Sequence, residues 1–243
     1  MSQKAGQLRI GTSGYQYAHW QQVFYPPDLP KQQWFTYYAH HFDTVEINNT
    51  FYRLPQAQVF EAWRDQAPEG FCYALKFSRY ATHFKHLQEP DEPIKRFLER
   101  ASRLGGFLGP ILVQLPPHWR VDPARLTAFL QAAPRHYRWA VEFRHPSWLC
   151  DEVYGILRAH GAALCIHDLL ANHPQQLTTE WGYWRFHGLS HGGNYPQQTL
   201  IAQARSLKHY VNDGLDVFVY FNNDAQGYAV QNAMDLKRYA AAD

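Results

Sequence analysis

A short apolar run that ends on a polar side chain, followed by residues at helical spacing, recurs about eight times along this 243-residue chain. The clearest instance is Thr44-Val45-Glu46-Ile47-Asn48. Alternation puts Val45 and Ile47 on one side of an extended segment and Thr44, Glu46 and Asn48 on the other. Repetition of strand, helix and strand in this order predicts an α/β fold, a parallel (β/α)8 barrel of the TIM type. An open doubly wound sheet ranks second. It calls for a Gly-rich phosphate loop after the first strand, and Gly11-Thr12-Ser13-Gly14 does not fit that pattern.

The predicted strands lie at Leu8–Gly14, Thr44–Asn48, Cys72–Ser78, Gly109–Leu115, Trp139–His145, Ala163–Asp168, Tyr183–Gly188 and Asp216–Asp224. Helices are expected over about 31–41, after Pro55, around Ile94–Ala101 up to Gly105-Gly106, and over about 123–133, 153–160 and 197–211, with a last one carrying Val230, Ala233 and Leu236. The connection Leu169–Gly182 leaves room only for a short or irregular helix after the sixth strand. Tyr15, Tyr17, Trp20, Phe24 and Tyr25 sit in the loop after the first strand, and most are read as packing groups. One barrel domain spanning residues 1–243 suits the length.

The net charge of +2 and the lack of a basic tail give no support to nucleic-acid binding, which is kept as a lower-ranked reading. Three widely spaced cysteines, Cys72, Cys150 and Cys165, fit a reducing compartment better than a disulfide framework. The first ten residues hold no apolar run of signal-peptide length, and a spanning helix's run of about 18 apolar residues is missing. A cytoplasmic protein without a membrane partner is expected.

In a barrel, inward side chains at the C-terminal ends of strands converge on one pocket. Alternation assigns Ser13, Glu46, Asn48, Lys76, Gln114, Glu142, Arg144, His167, Arg185, His187, Tyr220 and Asn222 to that face. A paired polar plug explains any one of them as readily as function does. As a set they exceed what closing a barrel requires, because small barrels fill with branched apolar residues. Lys76, Arg144 and Arg185 outnumber Glu46 and Glu142, which favours an anionic or polyhydroxylated ligand held by the two arginines and the lysine. Glu46, Glu142 and His167 are the candidate proton carriers. Glu46, Glu142, His167 and His187 are also metal-ligand types, but the three cations oppose a divalent ion; no cofactor is predicted, and a metal-dependent hydrolase or isomerase is kept as a lower-ranked alternative.

Several motifs together resemble one family. They are Ile10-Gly11-Thr12-Ser13-Gly14-Tyr15, Thr44–Arg53, Thr82-His83, Gln114-Leu115-Pro116-Pro117, Val141-Glu142-Phe143-Arg144-His145-Pro146-Ser147-Trp148, and Tyr220-Phe221-Asn222-Asn223 with Ala229 and Asn232-Ala233. This set is similar to the YecE-like family, domain of unknown function seventy-two, from near residue 8 to near residue 238. The resemblance implies a TIM-type barrel and carries no assigned reaction. It adds Tyr52, Arg53 and His83 to a substrate-binding set of Asn48, Lys76, Gln114, Arg144, Arg185, His187 and Asn222. The chain departs at Gly14-Tyr15, where the family is associated with Gly-Trp. The two readings are an enzyme doing acid/base chemistry on a small-molecule substrate, and a binding protein for a phosphate-bearing ligand or a nucleic-acid end.

Overall fold

A computed structural model of the chain describes residues 5–189 and 192–242. In chain order the elements are β1 (Leu8–Thr12), α1 (Trp34–His41), β2 (Thr44–Ile47), a single turn α2 (Asn49–Tyr52), α3 (Ala57–Gln66), β3 (Cys72–Lys76), α4 (Asp91–Ala101), β4 (Leu108–Gln114), α5 (Pro123–Ala132), β5 (Trp139–Glu142), α6 (Asp151–His160), β6 (Ala163–His167), β7 (Trp181–Phe186), α7 (Gln197–Asn212), β8 (Asp216–Phe221) and α8 (Tyr228–Ala241). The strand order is β1-β8-β7-β6-β5-β4-β3-β2. With helices between most successive strands, this is the predicted TIM-type α/β fold.

The chain divides into two compact units. The first comprises Met1–Glu46, His167–Leu169 and Glu180–Asp243, and the second Ile47–Ile166 with Leu170–Thr179. In the first, β8 pairs in parallel with both β1 and β7, in a register that sets Gly11 and Arg185 beside Tyr220. Ser13 and Glu46 form a parallel bridge just beyond β1, and the Gly14 amide donates to the Glu46 carbonyl at 2.8 Å. The loop aromatics pack as expected. Trp20 and Tyr25 are buried, and Tyr25 stacks on Trp34 at 4.7 Å between ring centres.

In the second unit β3, β4, β5 and β6 pair in sequence, all parallel. Ile111, Leu112 and Val113 are fully buried, as a strand covered on both faces requires. Asp122 caps α5 by accepting from the Arg125 amide at 3.0 Å, with Pro123 in the first turn. Gly161, at φ 67°, ends α6 in the left-handed conformation.

Three local features refine the sequence reading. β2 stops at Ile47, because Asn48 and Asn49 turn the chain into α2, where Thr50 Oγ1 donates to the Lys76 carbonyl at 2.7 Å. A π-helical turn occupies Tyr80–Phe84, a stretch assigned to no element from sequence. Among the described residues no helix lies between β6 and β7. Thr178 instead pins that connection along β6, accepting from the Leu164 amide at 2.9 Å and donating to the Ala162 carbonyl at 2.7 Å.

Gly11 shows how closely β1 and β2 approach. A Cβ there would lie 2.3 Å from the Thr44 carbonyl oxygen, a backbone atom that cannot rotate aside. Gly11→Ala is expected to destabilise by about 1–3 kcal/mol or more, the usual cost of overpacking. A thermal or urea transition equal to that of the parent chain would show that the two strands are not in this contact.

Candidate functional site

In the first unit the predicted residues gather around Glu46, fully buried next to the end of β2. Its Oε1 accepts from Ser13 Oγ at 2.7 Å and from Arg185 Nη2 at 2.8 Å. Its Oε2 accepts from Tyr183 Oη at 2.6 Å. Arg185 is itself only 1% exposed, so a buried charge meets a buried countercharge with hydrogen bonds on both carboxylate oxygens. Burial, then the Glu46 charge, hold the Tyr183 phenol well above its ordinary pKa and keep it a donor.

The arginine also sets the state of the next residue along the face. A guanidinium only donates, so the 3.2 Å contact from Arg185 Nη1 makes His187 Nε2 an acceptor. The ring proton then sits on Nδ1, 3.2 Å from Asp168 Oδ1, which also accepts from the His187 amide at 2.9 Å. Tyr195 Oη donates to Asp168 Oδ2 and accepts from the Gly188 amide at 2.6 Å. Burial opposes charge on Asp168, but the hydrogen bonds from His187 and Tyr195 outweigh it and hold its pKa below the ordinary carboxylate value.

His167 is buried at the end of β6, its ring edge-on to His187 at 5.9 Å, with Nδ1 accepting from the Leu169 amide at 3.2 Å. Asn222 is half-buried just beyond β8, and its amide donates to the Phe186 carbonyl at 2.7 Å. Its neighbour Asn223 is fully buried and donates to Asn232 Oδ1 at 2.9 Å and to the Gly193 carbonyl at 3.1 Å, a staple rather than a ligand contact.

The second unit brings together Lys76, His83, Gln114, Glu142 and Arg144. Gln114 and Glu142 end neighbouring strands in register, and Gln114 Nε2 donates to Glu142 Oε1 at 2.9 Å. The same oxygen accepts from Arg144 Nε, so a buried carboxylate aims a guanidinium that keeps 22% of its side-chain surface. Lys76, at the end of β3, places its ammonium 4.2 Å from the centre of the Phe51 ring, and His83 meets the edge of that ring at 5.1 Å.

His83 senses the charge around it. Burial, followed by the positive charges of Lys76, Arg79, Arg144 and His86, pushes its pKa down to about 4. Thr82 Oγ1 spends its single proton on the Ser78 carbonyl at 3.0 Å, so at the 2.9 Å contact with His83 it accepts from Nδ1. That leaves the lone pair on Nε2. Of the remaining predicted residues, Asn48 is half-buried at the start of α2, Tyr52 is 71% exposed and Arg53 is exposed.

Sequence reasoning missed Tyr183, Asp168, Tyr195, Phe51, Arg79 and His86. Tyr183 lies two residues before Arg185 in β7, so alternation already placed the two on one face. Tyr195 lies outside every strand and carried no periodic signal. Among the described residues no three His, Cys, Asp or Glu side chains are grouped as a metal site. Glu46 and Glu142, weighed as metal ligands, each face a guanidinium.

Residues 9–243 match the family model described as "Protein of unknown function DUF72". The chain belongs to the DUF72 family. It is 36% identical over 114 residues to the UPF0759 protein YecE of Escherichia coli K12, a match that spans 46% of this chain but only 41% of YecE. It is 26% identical to the UPF0759 protein YunF of Bacillus subtilis, across 87% of this chain and 88% of that one. The crystal structure of a DUF72 protein from Thermotoga maritima superposes with a TM-score of 0.84 at 28% identity, covering 96% and 98% of the two chains. A DUF72 structure from Enterococcus faecalis shares the fold at 20% identity and a TM-score of 0.81, covering 98% of this chain and 96% of that one. No helix among the described residues of this DUF72 chain is long and apolar enough to cross a membrane.

The Glu46 cluster makes a graded test. Arg185→Met leaves a buried carboxylate without its countercharge and is expected to cost about 3–5 kcal/mol. Tyr183→Phe removes one hydrogen bond to a charged group and should cost about 1.5–3 kcal/mol. Urea unfolding of both variants checks the order, and equal losses would contradict the ion pair's part in it.

Proposed function

We propose that this DUF72 chain is an enzyme that binds a small anionic substrate and moves a proton on it, with Lys76 and Arg144 holding the anion and His83 exchanging the proton. The observation that carries the reading is the depressed pKa of His83 among four neighbouring cationic or basic groups. A neutral imidazole beside Lys76 and Arg144 adds no third charge to the site. It is also a base with its Nε2 lone pair already directed by Thr82. Lysine supplies a mobile point charge and arginine a planar fork, and the pair suits a carboxylate or phosphate oxygen. In this reading Glu142 positions Arg144, and Glu46 positions Arg185, rather than passing protons themselves. The TIM-type fold hosts many chemistries, so it adds only a prior.

Anion binding and protonation of His83 are linked. A bound anion favours the imidazolium, raises the pKa of His83 from about 4, and draws in a proton. Affinity is therefore expected to increase as pH falls from the ordinary histidine range, near 6.5, toward 4. Sulfate is the useful probe because its charge is constant across that window. NMR titration of the His83 ring should show its pKa rise with sulfate. In Lys76→Met the ligand-free pKa should already lie higher and the response to sulfate should be lost. His83→Gln should keep sulfate binding and abolish turnover in a screen of small carboxylates and phosphate esters. If sulfate leaves the His83 titration where it was, the anion site is not here. If His83→Gln turns over a substrate at the parent rate, His83 is not the proton carrier.

A further inference from the structure

A cavity in the same unit is lined by none of Lys76, His83, Glu142 and Arg144. About 550 Å³ in volume, it is lined by Arg53, Tyr80, Lys85, Glu92, Arg96 and Arg100 among others, which is within the size range of small-molecule sites. Its charged lining has four cations, Arg53, Lys85, Arg96 and Arg100, against two carboxylates, Glu89 and Glu92. Part of it is fixed in advance. Arg100 Nη1 donates to the Pro55 carbonyl at 2.7 Å, and Lys85 pairs with Glu89 at 3.1 Å. Arg53 and Arg96 are exposed, and so is the Tyr80 ring at 56%.

The backbone beside this cavity is unusual. Tyr80 opens the π-helical turn Tyr80–Phe84. Then His86, Leu87 and Glu89 all take positive φ, at 48°, 61° and 47°, a conformation that non-glycine residues rarely adopt. Turns of the π type and residues in the left-handed region are frequent at functional sites. Here the turn puts His83 against Phe51 while Tyr80, three residues earlier, lines the cavity.

We propose that this cavity is a separate site for a compound joining a phosphate group to a flat ring, of mononucleotide size. Exposed guanidinium groups of Arg53 and Arg96 match phosphate oxygens through paired hydrogen bonds. The open face of Tyr80 provides a stacking platform, and stacking on an aromatic ring accepts any base. Glu92 is an acceptor for sugar hydroxyls, as carboxylates are in dinucleotide sites. A bare anion uses only the arginines and leaves the aromatic face and the carboxylate without a role.

Adenosine 5′-monophosphate, inorganic phosphate and adenosine are the probes, titrated by calorimetry near pH 7.5 against the full chain. The nucleotide is expected to bind saturably and at least about tenfold more tightly than phosphate or adenosine. Arg53→Ala with Arg96→Ala, and separately Tyr80→Ala, should each weaken it by about tenfold. All three side chains are exposed, and an unchanged thermal transition checks that the fold is intact. Lys76→Met should leave nucleotide affinity at the parent value, which separates this site from the sulfate response of His83. The proposal is overturned if the nucleotide does not saturate, if phosphate or adenosine binds as well, if the arginine and tyrosine variants bind normally, or if Lys76→Met removes binding.

Discussion

The first unit depends on one buried ion pair, Glu46 with Arg185. Its cost is plain: two charges leave water, and an apolar pair of similar volume is often as stable or more so. What the ion pair adds is a unique arrangement. Ser13 beyond β1, Glu46 on β2 and Tyr183 and Arg185 on β7 meet at one carboxylate, so three segments distant in sequence are held in one relation by donors that share that acceptor. A slip of β7 by one residue would turn Arg185 and Tyr183 to the other face and leave Glu46 buried and uncompensated. Register is thereby enforced by the penalty for error.

The second unit uses the same chemistry for a different end. Glu142 is also a buried carboxylate held by a strand neighbour, Gln114, but its arginine comes from beyond the strand and retains contact with solvent. Lys76 is placed from the other side, through the Thr50 hydrogen bond to its own carbonyl and the Phe51 ring beneath its ammonium. One cluster is sealed throughout, and in the other Arg144 keeps part of its surface exposed while Lys76 is buried. That contrast is why the functional reading rests on Lys76, His83 and Arg144, while Glu46 is read as architecture.

Most of the fold was legible because strand and helix periods differ, and because a strand buried on both faces cannot be mistaken for loop. Alternation also identified Glu46, Gln114, Glu142, Arg185 and His187 as polar groups at strand ends. What it could not show was how each polar group is satisfied. Tyr183 stood in plain view on the same face as Arg185, yet a tyrosine in a strand reads as packing. Asp168 and Tyr195 join through loops, where no period constrains direction. The π-helical turn at Tyr80–Phe84 stayed hidden because five residues give no detectable repeat, and its hydrogen bonds depend on the Lys85 amide reaching the Tyr80 carbonyl.

The tautomer of His187 has a consequence for the whole row it belongs to. From Arg185 through the imidazole to Asp168 each link has a fixed polarity, with every donor pointing the same way. A proton delivered to Nε2 would set two donors face to face and push the guanidinium off. The row therefore couples its two ends through one ring: a change of charge at the part-exposed Asp168 is felt at the sealed carboxylate of Glu46, and a change at Glu46 is felt equally at Asp168.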